Sequence, residues 1–538
     1  MARTSPYQPL LIAGALVGGL FIGRYSGSGV GGDALARLTS RGGDPAAKIA
    51  QVLDLIERQY VDTVEQKALV EEVLQDILQR LDPHSYYISA EELGAAQEPL
   101  EGSFDGIGVE FAIQRDTVVV ITPVEGGPSE ALGIRAGDRI IAADSVPLAG
   151  VGITNDGVMK NLRGPKGSKV TVSILRNGRS EPFQVTIQRG KIPIHSVAAS
   201  LITPDGTGYI KLVRFARNTH DEFLAAADAL REKGMQRLVL DLRGNGGGYL
   251  NSAIQLADEF LPDGRTIVYT QGRNSPRRDI TATRAGSYED IPLAVLIDEG
   301  SASASEIIAG AVQDNDRGWI VGRRSFGKGL VQEQVDLPDH SAVRLTTARY
   351  YTASGRSIQR PYGEGIAYND DLAERYEHGE FLSADSVRLD SSQMFTTVGG
   401  RKVFGGGGVM PDLFVPADTS GSSDYLSRLV FSGLLNRFAF DVADRDRNML
   451  ERYGSPEAFQ AKYRVTDALI DELVRLGVKE GVPEDPAGVA RSRKVLAARI
   501  KSGIARNIWG NAGYYRILLD DDRIFQRAVE RLRSGDRP

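Results

Sequence analysis

The sequence predicts a multidomain α/β protein: a helical N-terminal region, a β-rich module, a layered α/β core and a helical C-terminal extension. Three observations carry that expectation. Between 191 and 417, the continuous apolar runs Leu238-Val239-Leu240 and Leu293-Ala294-Val295-Leu296-Ile297 lie beside segments of helical period. That pattern marks strands buried on both faces and flanked by helices. From 102 to 190, short Val/Ile/Thr-rich runs are punctuated by Gly and Pro, the texture of a compact β-rich module. From 418 to 538 the chain is charged, with apolar stripes at helical spacing such as Leu426, Leu429, Val430 and Leu434, or Leu469, Leu473 and Leu476.

Composition narrows the chemistry. The 538 residues suffice for about three or four domains at roughly 100–200 residues each. With 64 Lys+Arg against 70 Asp+Glu the formal charge is −6, which argues against nucleic acid as the main partner. The absence of Cys excludes disulfides, thiol nucleophiles, thiolate zinc sites and a lipid-bearing cysteine. Five scattered His leave little for an imidazole-rich metal cluster, so neither metal nor cofactor is expected.

Residues 1–28 contain the apolar run from Pro9 to Gly23, between Arg3 and Arg24. It reads as a signal peptide or an N-terminal membrane anchor, with Ala34-Leu35-Ala36 as a candidate cleavage site. Either way the mature chain is expected to be extracytoplasmic, in the periplasm or cell envelope. Residues 29–43 read as a flexible tether. Within 44–101, Asp44-Pro45 supplies an N-cap and first helical position, and Ile49, Val52, Leu53, Ile56 and Tyr60 follow at helical spacing. A second stripe, from Val70 to Leu81, ends at Asp82-Pro83. Further on, Thr219 and Glu222 are expected to form a capping box opening the helix Phe223 to Lys233.

Inside the β-rich module, Phe104-Asp105-Gly106-Ile107-Gly108-Val109 precedes a strand, and Ser129 to Ile140, with Gly137-Asp138, follows a Pro/Gly-rich turn. These two pieces resemble a PDZ domain. Gly106, Ile107, Gly108 and Val109 would bind peptide, because a Gly-containing loop can aim amides at a carboxylate while the strand edge beside it accepts an added strand.

The stretch Glu299-Gly300-Ser301-Ala302-Ser303-Ala304-Ser305-Glu306 runs from a buried strand through small residues into a helix. A serine at such a turn has free helix-start amides beside it, which favour a developing oxyanion. From these residues alone, Ser303 is equally a nucleophile and the N-cap of a capping box with Glu306. No His lies within thirty residues on either side, so lysine becomes the candidate base. Lys328, flanked by Gly327 and Gly329, would need burial to lower its pKa from about 10.4. The run Asp241-Leu242-Arg243-Gly244-Asn245-Gly246-Gly247-Gly248 ends another core strand and could lend an oxyanion amide.

Together these pieces resemble the carboxyl-terminal processing, or tail-specific, proteases: Ser/Lys endopeptidases with an inserted PDZ domain. The matching motifs run from Leu81-Asp82-Pro83-His84-Ser85 through the glycine loop, Ser303-Ala304-Ser305-Glu306-Ile307, Phe326-Gly327-Lys328-Gly329 and Tyr350 to Gln359, ending at Gly408-Val409-Met410-Pro411-Asp412. The resemblance implies a crotonase-like or ClpP-like core over 191–417, with Ser303 as nucleophile, Lys328 as base and Gln332 orienting it. It also implies Ala304 and either Gly247 or Gly248 as oxyanion donors. Ser301 and Ser305 are register alternatives, Asp314 is read as structural, and Arg163 in Arg163-Gly164-Pro165-Lys166-Gly167 would couple the PDZ module to the core. Expected partners are proteins with exposed C-terminal tails, an adaptor and a second copy of the chain, and residues 418–538 leave oligomer contacts or gating open.

Two rival readings meet residues that oppose them. Gly322 to Lys328 satisfies G-x-x-x-x-G-K, but Gly329 stands where a phosphate-binding loop needs Ser or Thr, and a strand-like run follows instead of a helix. A binding scaffold without turnover is the non-enzyme alternative, against which stand Ser303, Lys328 and Gln332 all being present.

Overall fold

The computed structural model describes residues 45–363, 366 and 368–538, so the segments expected at 1–28 and 29–43 lie outside it. The chain divides into two units between Leu81 and Asp82. The first holds the two helices that the apolar stripes predict, α1 (Pro45–Gln59) and α2 (Gln66–Gln79).

The second unit begins with β1 (Tyr86–Ile88) and α3 (Leu93–Glu101), then enters the β-rich module through a neck. The neck is an antiparallel pair, β2 (Ser103–Gly106) with β9 (Gly190–Pro193), which closes the module at its entry and exit. Inside lies a sheet ordered β3-β4-β5-β7-β8, with β6 on β5. Its members are β3 (Val109–Ile113), β4 (Val118–Pro123), β5 (Arg139–Ala143), β6 (Val146–Pro147), β7 (Lys169–Leu175) and β8 (Phe183–Gln188). A short helix, α4 (Pro128–Ala131), and α5 (Asn155–Leu162) close it. Alternation explains the sheet: Val170, Val172 and Ile174 face one cluster with Val118, Val120, Ile140 and Ile187, while the intervening residues face out. That cluster contains no residue outside 107–187, so the module has a core of its own.

The α/β core is a six-stranded sheet ordered β10-β11-β12-β15-β16-β21. β10 (Val197–Ile202) and β11 (Thr207–Leu212) pair antiparallel; β12 (Arg237–Asp241), β15 (Leu293–Ile297), β16 (Trp319–Gly322) and β21 (Leu413–Phe414) continue in parallel. Every residue of β15 is buried, as the unbroken apolar run requires. One face packs on α6 (Thr219–Glu232), α7 (Leu250–Asp258) and α8 (Ala304–Asp314). An antiparallel sheet, β1-β18-β13-β14 with β17 on β18, stands alongside; its other strands are β13 (Thr266–Gln271), β14 (Arg278–Thr281), β17 (Leu330–Asp336) and β18 (Ala342–Tyr351). A helix, α9 (Asp371–Glu377), and a hairpin of β19 (Met394–Thr396) with β20 (Lys402–Phe404) complete this part.

One local expectation fails. α6 begins at Thr219, its N-cap is Asn218, and no side-chain cap bond forms. Thr219 and Glu222 instead stitch the helix to the approach of β10: Thr219 Oγ1 lies 2.6 Å from Ser196 Oγ, and Glu222 accepts the amides of Ser196 and Val197 at 2.7 and 3.0 Å. Buried backbone donors at a strand entry outbid the helix for these side chains.

The extension is a bundle of α10 (Asp424–Phe431), α11 (Leu434–Arg445), α12 (Arg447–Leu450), α13 (Pro456–Lys462), α14 (Asp467–Lys479) and α15 (Pro486–Leu518), the last broken at Trp509 and Gly510. The final helix, α16 (Arg523–Arg533), leaves this bundle. Its Ile524, Phe525, Ala528, Val529 and Leu532 join Tyr209, Val239, Ala294, Leu296 and Val321 in one buried cluster. A mainly parallel sheet needs cover on both faces, and α16 supplies the second. No described helix is long and apolar enough to cross a membrane.

Candidate active site

The turn from β15 into α8 places the three serines differently. Ser301 and Ser305 are fully buried and donate to the carbonyls of Leu242 and Asn245, at 2.9 and 2.8 Å. Ser303, partly exposed, stands at φ 55°, ψ −112°, a backbone region that L-residues avoid at a cost on the order of 1–3 kcal/mol. Such strain at a strand-to-helix turn pushes a side chain outward.

The strain is held by Glu306. Its fully buried carboxylate accepts the amides of Ser303 (2.8 Å), Lys328 (2.9 Å) and Gly327 (2.7 Å) and the hydroxyl of Ser325 (2.5 Å). Burial nevertheless pushes its pKa up to about 7. On the other side the Tyr350 hydroxyl lies 2.6 Å from the Lys328 carbonyl oxygen and 3.1 Å from that of Ser303. One carboxylate and one phenol therefore tie the backbone of residue 303 to that of residue 328. Local sequence offers Glu306 as a cap partner of Ser303 and carries no signal for the role of Tyr350.

Burial lowers the Lys328 pKa from the usual lysine value; the charges of Asp82 and Glu306 oppose the shift, and Arg344 adds to it. Among the described residues no hydrogen bond joins Lys328 Nζ to Ser303 Oγ or to Gln332. Gln332 Nε2 instead points to Thr346 Oγ1 at 3.4 Å, a long contact. The Thr346 amide donates to Ser85 Oγ at 3.0 Å, and Ser85 donates to Asp82 at 2.6 Å. Asp82 also accepts the amides of His84 and Ser85, both at 2.8 Å, folding Asp82-Pro83-His84-Ser85 into a tight turn beside the lysine. His84, distant from Ser303 in the chain, enters the same locale. Its Nε2 lies 2.9 Å from the Tyr368 hydroxyl, and burial followed by the Lys328 charge lowers its pKa to about 4, so it is neutral at pH 7.

The glycine loop abuts the serine turn. A Cβ at Gly247 (φ 97°) would fall 2.8 Å from Ser303 Cβ and 2.9 Å from Ala304 N, so only glycine fits. The Gly247 amide donates to Asn245 Oδ1 at 3.0 Å. Among the described residues the amides of Gly248 and Ala304 have no protein acceptor. Asp314 is fully buried against Arg356 at 2.8 Å and takes the Ser354 hydroxyl at 2.6 Å.

In the β-rich module, Gly106, Ile107 and Gly108 are buried and lead into Val109, whose strand β3 pairs, among the described residues, with β4 alone and so leaves its other edge open there. Between β3 and α5 lies a cavity of about 250 Å³ lined by Ile107, Val109, Phe111, Met159 and Leu162 among others. Arg163 forms its wall: the guanidinium lies 4.4 Å over the Phe104 ring and reaches Glu98 on α3 at 2.6 Å. The end of α3 continues the connection, since Glu101 pairs with Arg217 at 2.8 Å and lies 3.3 Å from the hydroxyl of Tyr249, the residue after Gly248.

Residues 206–370 match peptidase family S41, residues 106–187 the PDZ domain, and residues 33–92 the N-terminal domain of the activating protease CtpB. Residues 425–510 match a family of unknown function. A carboxy-terminal-processing protease of Bartonella bacilliformis is 34% identical over 361 residues, 66% of this chain and 81% of its own. The carboxy-terminal processing protease CtpB of Bacillus subtilis is 34% identical over 318 residues, 58% of this chain and 65% of its own. Among solved structures, a photosystem II D1 C-terminal processing protease is 27% identical, with a TM-score of 0.35, covering 69% of this chain and 93% of its own. The fold and site define a serine peptidase with an inserted PDZ domain, and the chain belongs to the carboxy-terminal processing proteases of peptidase family S41.

Proposed function

We propose that the chain cleaves proteins captured by their C-terminal tails, with Ser303 as nucleophile and Lys328 as general base. The observation that carries this reading is the double tie of residues 303 and 328 through Glu306 and Tyr350, which holds a strained serine beside a desolvated lysine. Ser303 Oγ attacks the scissile carbonyl while Lys328 accepts its proton; the lysine returns that proton to the leaving amine, and water then releases the acyl-enzyme. The Ala304 amide and that of Gly248 receive the oxyanion, Gly248 being preferred because the Gly247 amide is spent on Asn245. Closure of the last gap between Lys328 and Ser303, with Gln332 turning from Thr346 to orient the amine, accompanies substrate binding.

The tail would add to the free edge of β3, with its carboxylate on the loop of Gly106, Ile107, Gly108 and Val109. Arg163, at the cavity wall, would report occupancy through Glu98. The chain would work outside the cytoplasm, delivered or anchored by its N-terminal apolar segment, as a homo-oligomer served by an adaptor. Ser303→Ala and Lys328→Ala are each expected to abolish cleavage of a peptide with an unstructured apolar C-terminus; full activity in either would overturn the reading. Because the amine must be neutral, kcat/KM should rise with pH along an acid limb below the ordinary lysine pKa. Asp82→Asn removes a charge that raises the Lys328 pKa, so that limb should move to lower pH.

A further inference from the structure

The glycine loop has an anchor outside the active site, at the start of the last described helix. Arg243, the residue before Gly244, lies between two carboxylates. Its Nε and Nη2 donate to Asp241 (2.6 Å at the shortest), and its Nη1 and Nη2 donate to Asp522 Oδ1 and Oδ2 at 3.0 and 2.6 Å. Asp241 is buried and also accepts Lys211 Nζ at 3.1 Å and the Tyr209 hydroxyl at 2.8 Å. Lys211 donates in turn to the Arg243 carbonyl. Two cations thus meet two carboxylates, and one of the carboxylates comes from the C-terminal tail. Without Asp522 the cluster would keep two cations on a single buried acid, an arrangement that burial penalises.

The loop beyond Arg243 transmits position directly. Gly244 N donates to Asp298 at 2.8 Å, the Asn245 carbonyl accepts Ala302 N at 3.0 Å, and Gly247 packs against Ser303. A shift at Arg243 is therefore a shift of the loop against the serine turn. Asp522 is held by the chain around it: it caps α16 by accepting the amides of Ile524 and Phe525, both at 3.0 Å, and α16 is sunk in the sheet face.

We propose that Asp522 is a positioning residue for the peptidase: its bidentate grip on Arg243 fixes the root of the glycine loop, making the final helix a working part of the active site. The inference rests on the reading of that loop as an oxyanion donor. Asn caps helices as well as Asp does, so Asp522→Asn in the full chain removes the charge and spares the cap. On a tail peptide its kcat per folded molecule should fall at least tenfold, with KM within twofold of wild type, while the melting midpoint drops but stays above the assay temperature. Asp522→Ser, a second capping variant without the grip, should behave alike and serves if the Asn protein does not fold. Arg533→Ala loosens an exposed tail contact to Asp205 and should keep its kcat. A kcat within twofold of wild type in the folded Asn or Ser protein, or an equal loss in Arg533→Ala, would overturn the inference. So would losses of kcat that only track the loss of folded protein. If Ser303→Ala stayed active the catalytic reading itself would fall; if Ser303→Ala were inactive and Asp522→Asn fully active, only this inference would.

Discussion

The PDZ module and the final helix α16 are both joined to the rest of the second unit, but by opposite physics. The module's apolar core is closed on itself, and its ties outward are charges: Arg163 to Glu98, Arg115 to Asp441, Arg139 to Asp444 and Arg506 to Glu110. Three of the four tie it to the C-terminal extension rather than to the core. Helix α16 instead shares its apolar residues with strands of the core sheet, and the contact of its N-cap, Asp522 to Arg243, is mostly buried, while Arg533 to Asp205 lies at the surface. Arg115–Asp441 and Arg506–Glu110 are exposed and screened, while Arg163–Glu98 and Arg139–Asp444 are partly buried. Such pairs hold a body more reversibly than a shared apolar core, which comes apart only with the fold. The neck of β2 and β9 is the backbone connection of the module, and the extension supplies most of its ionic partners.

Perturbations of decreasing size test this contrast. Phe525, 6% exposed and edge-on to Tyr209 at 5.6 Å, should cost about 3–5 kcal/mol on replacement by Ala, read as a lowered denaturant midpoint of the core. A loss under about 1 kcal/mol would show that α16 is not part of the core. Asp444, 13% exposed in its side chain and paired with Arg139 at 3.0 Å, comes next. Asp444→Ala should cost the whole protein only about 1 kcal/mol while making the neck measurably more sensitive to limited proteolysis. Raising salt from about 50 to about 500 mM should loosen the neck in the same way without moving the core midpoint downward, because screening reaches the exposed pairs and spares the buried one. Smallest of all, Arg115→Ala, at a side chain 68% exposed, should change stability by about 0.5 kcal/mol or less in a denaturant melt. A large effect there would mean that the module is held far more rigidly than its contacts imply.

The legibility of the site followed distance along the chain. The strand-to-helix serine turn, the Gly-flanked lysine and the glycine loop were readable because each is one local pattern whose geometry its own residues dictate. The tie through Glu306 and Tyr350 was not, because it joins three stretches whose meeting no spacing encodes. Asp82 and His84 were visible as a motif without a role; only the pairing of β1 with β18 brings their turn to the lysine. Thr219 misled because Thr and Glu three residues apart signify a cap only when nothing buried nearby needs them more.

By itself the sequence determined the kinds of element and their order, since apolar periodicity and glycine placement act over a few residues. It also narrowed the chemistry, since a chain without Cys and with a lysine between glycines has few ways to activate a serine. Tertiary structure decided what covers the second face of the sheet, which charges surround Lys328 and which glycine amide is left unspent. Those outcomes depend on desolvation and on contacts between residues hundreds of positions apart, quantities that exist only once the chain has folded.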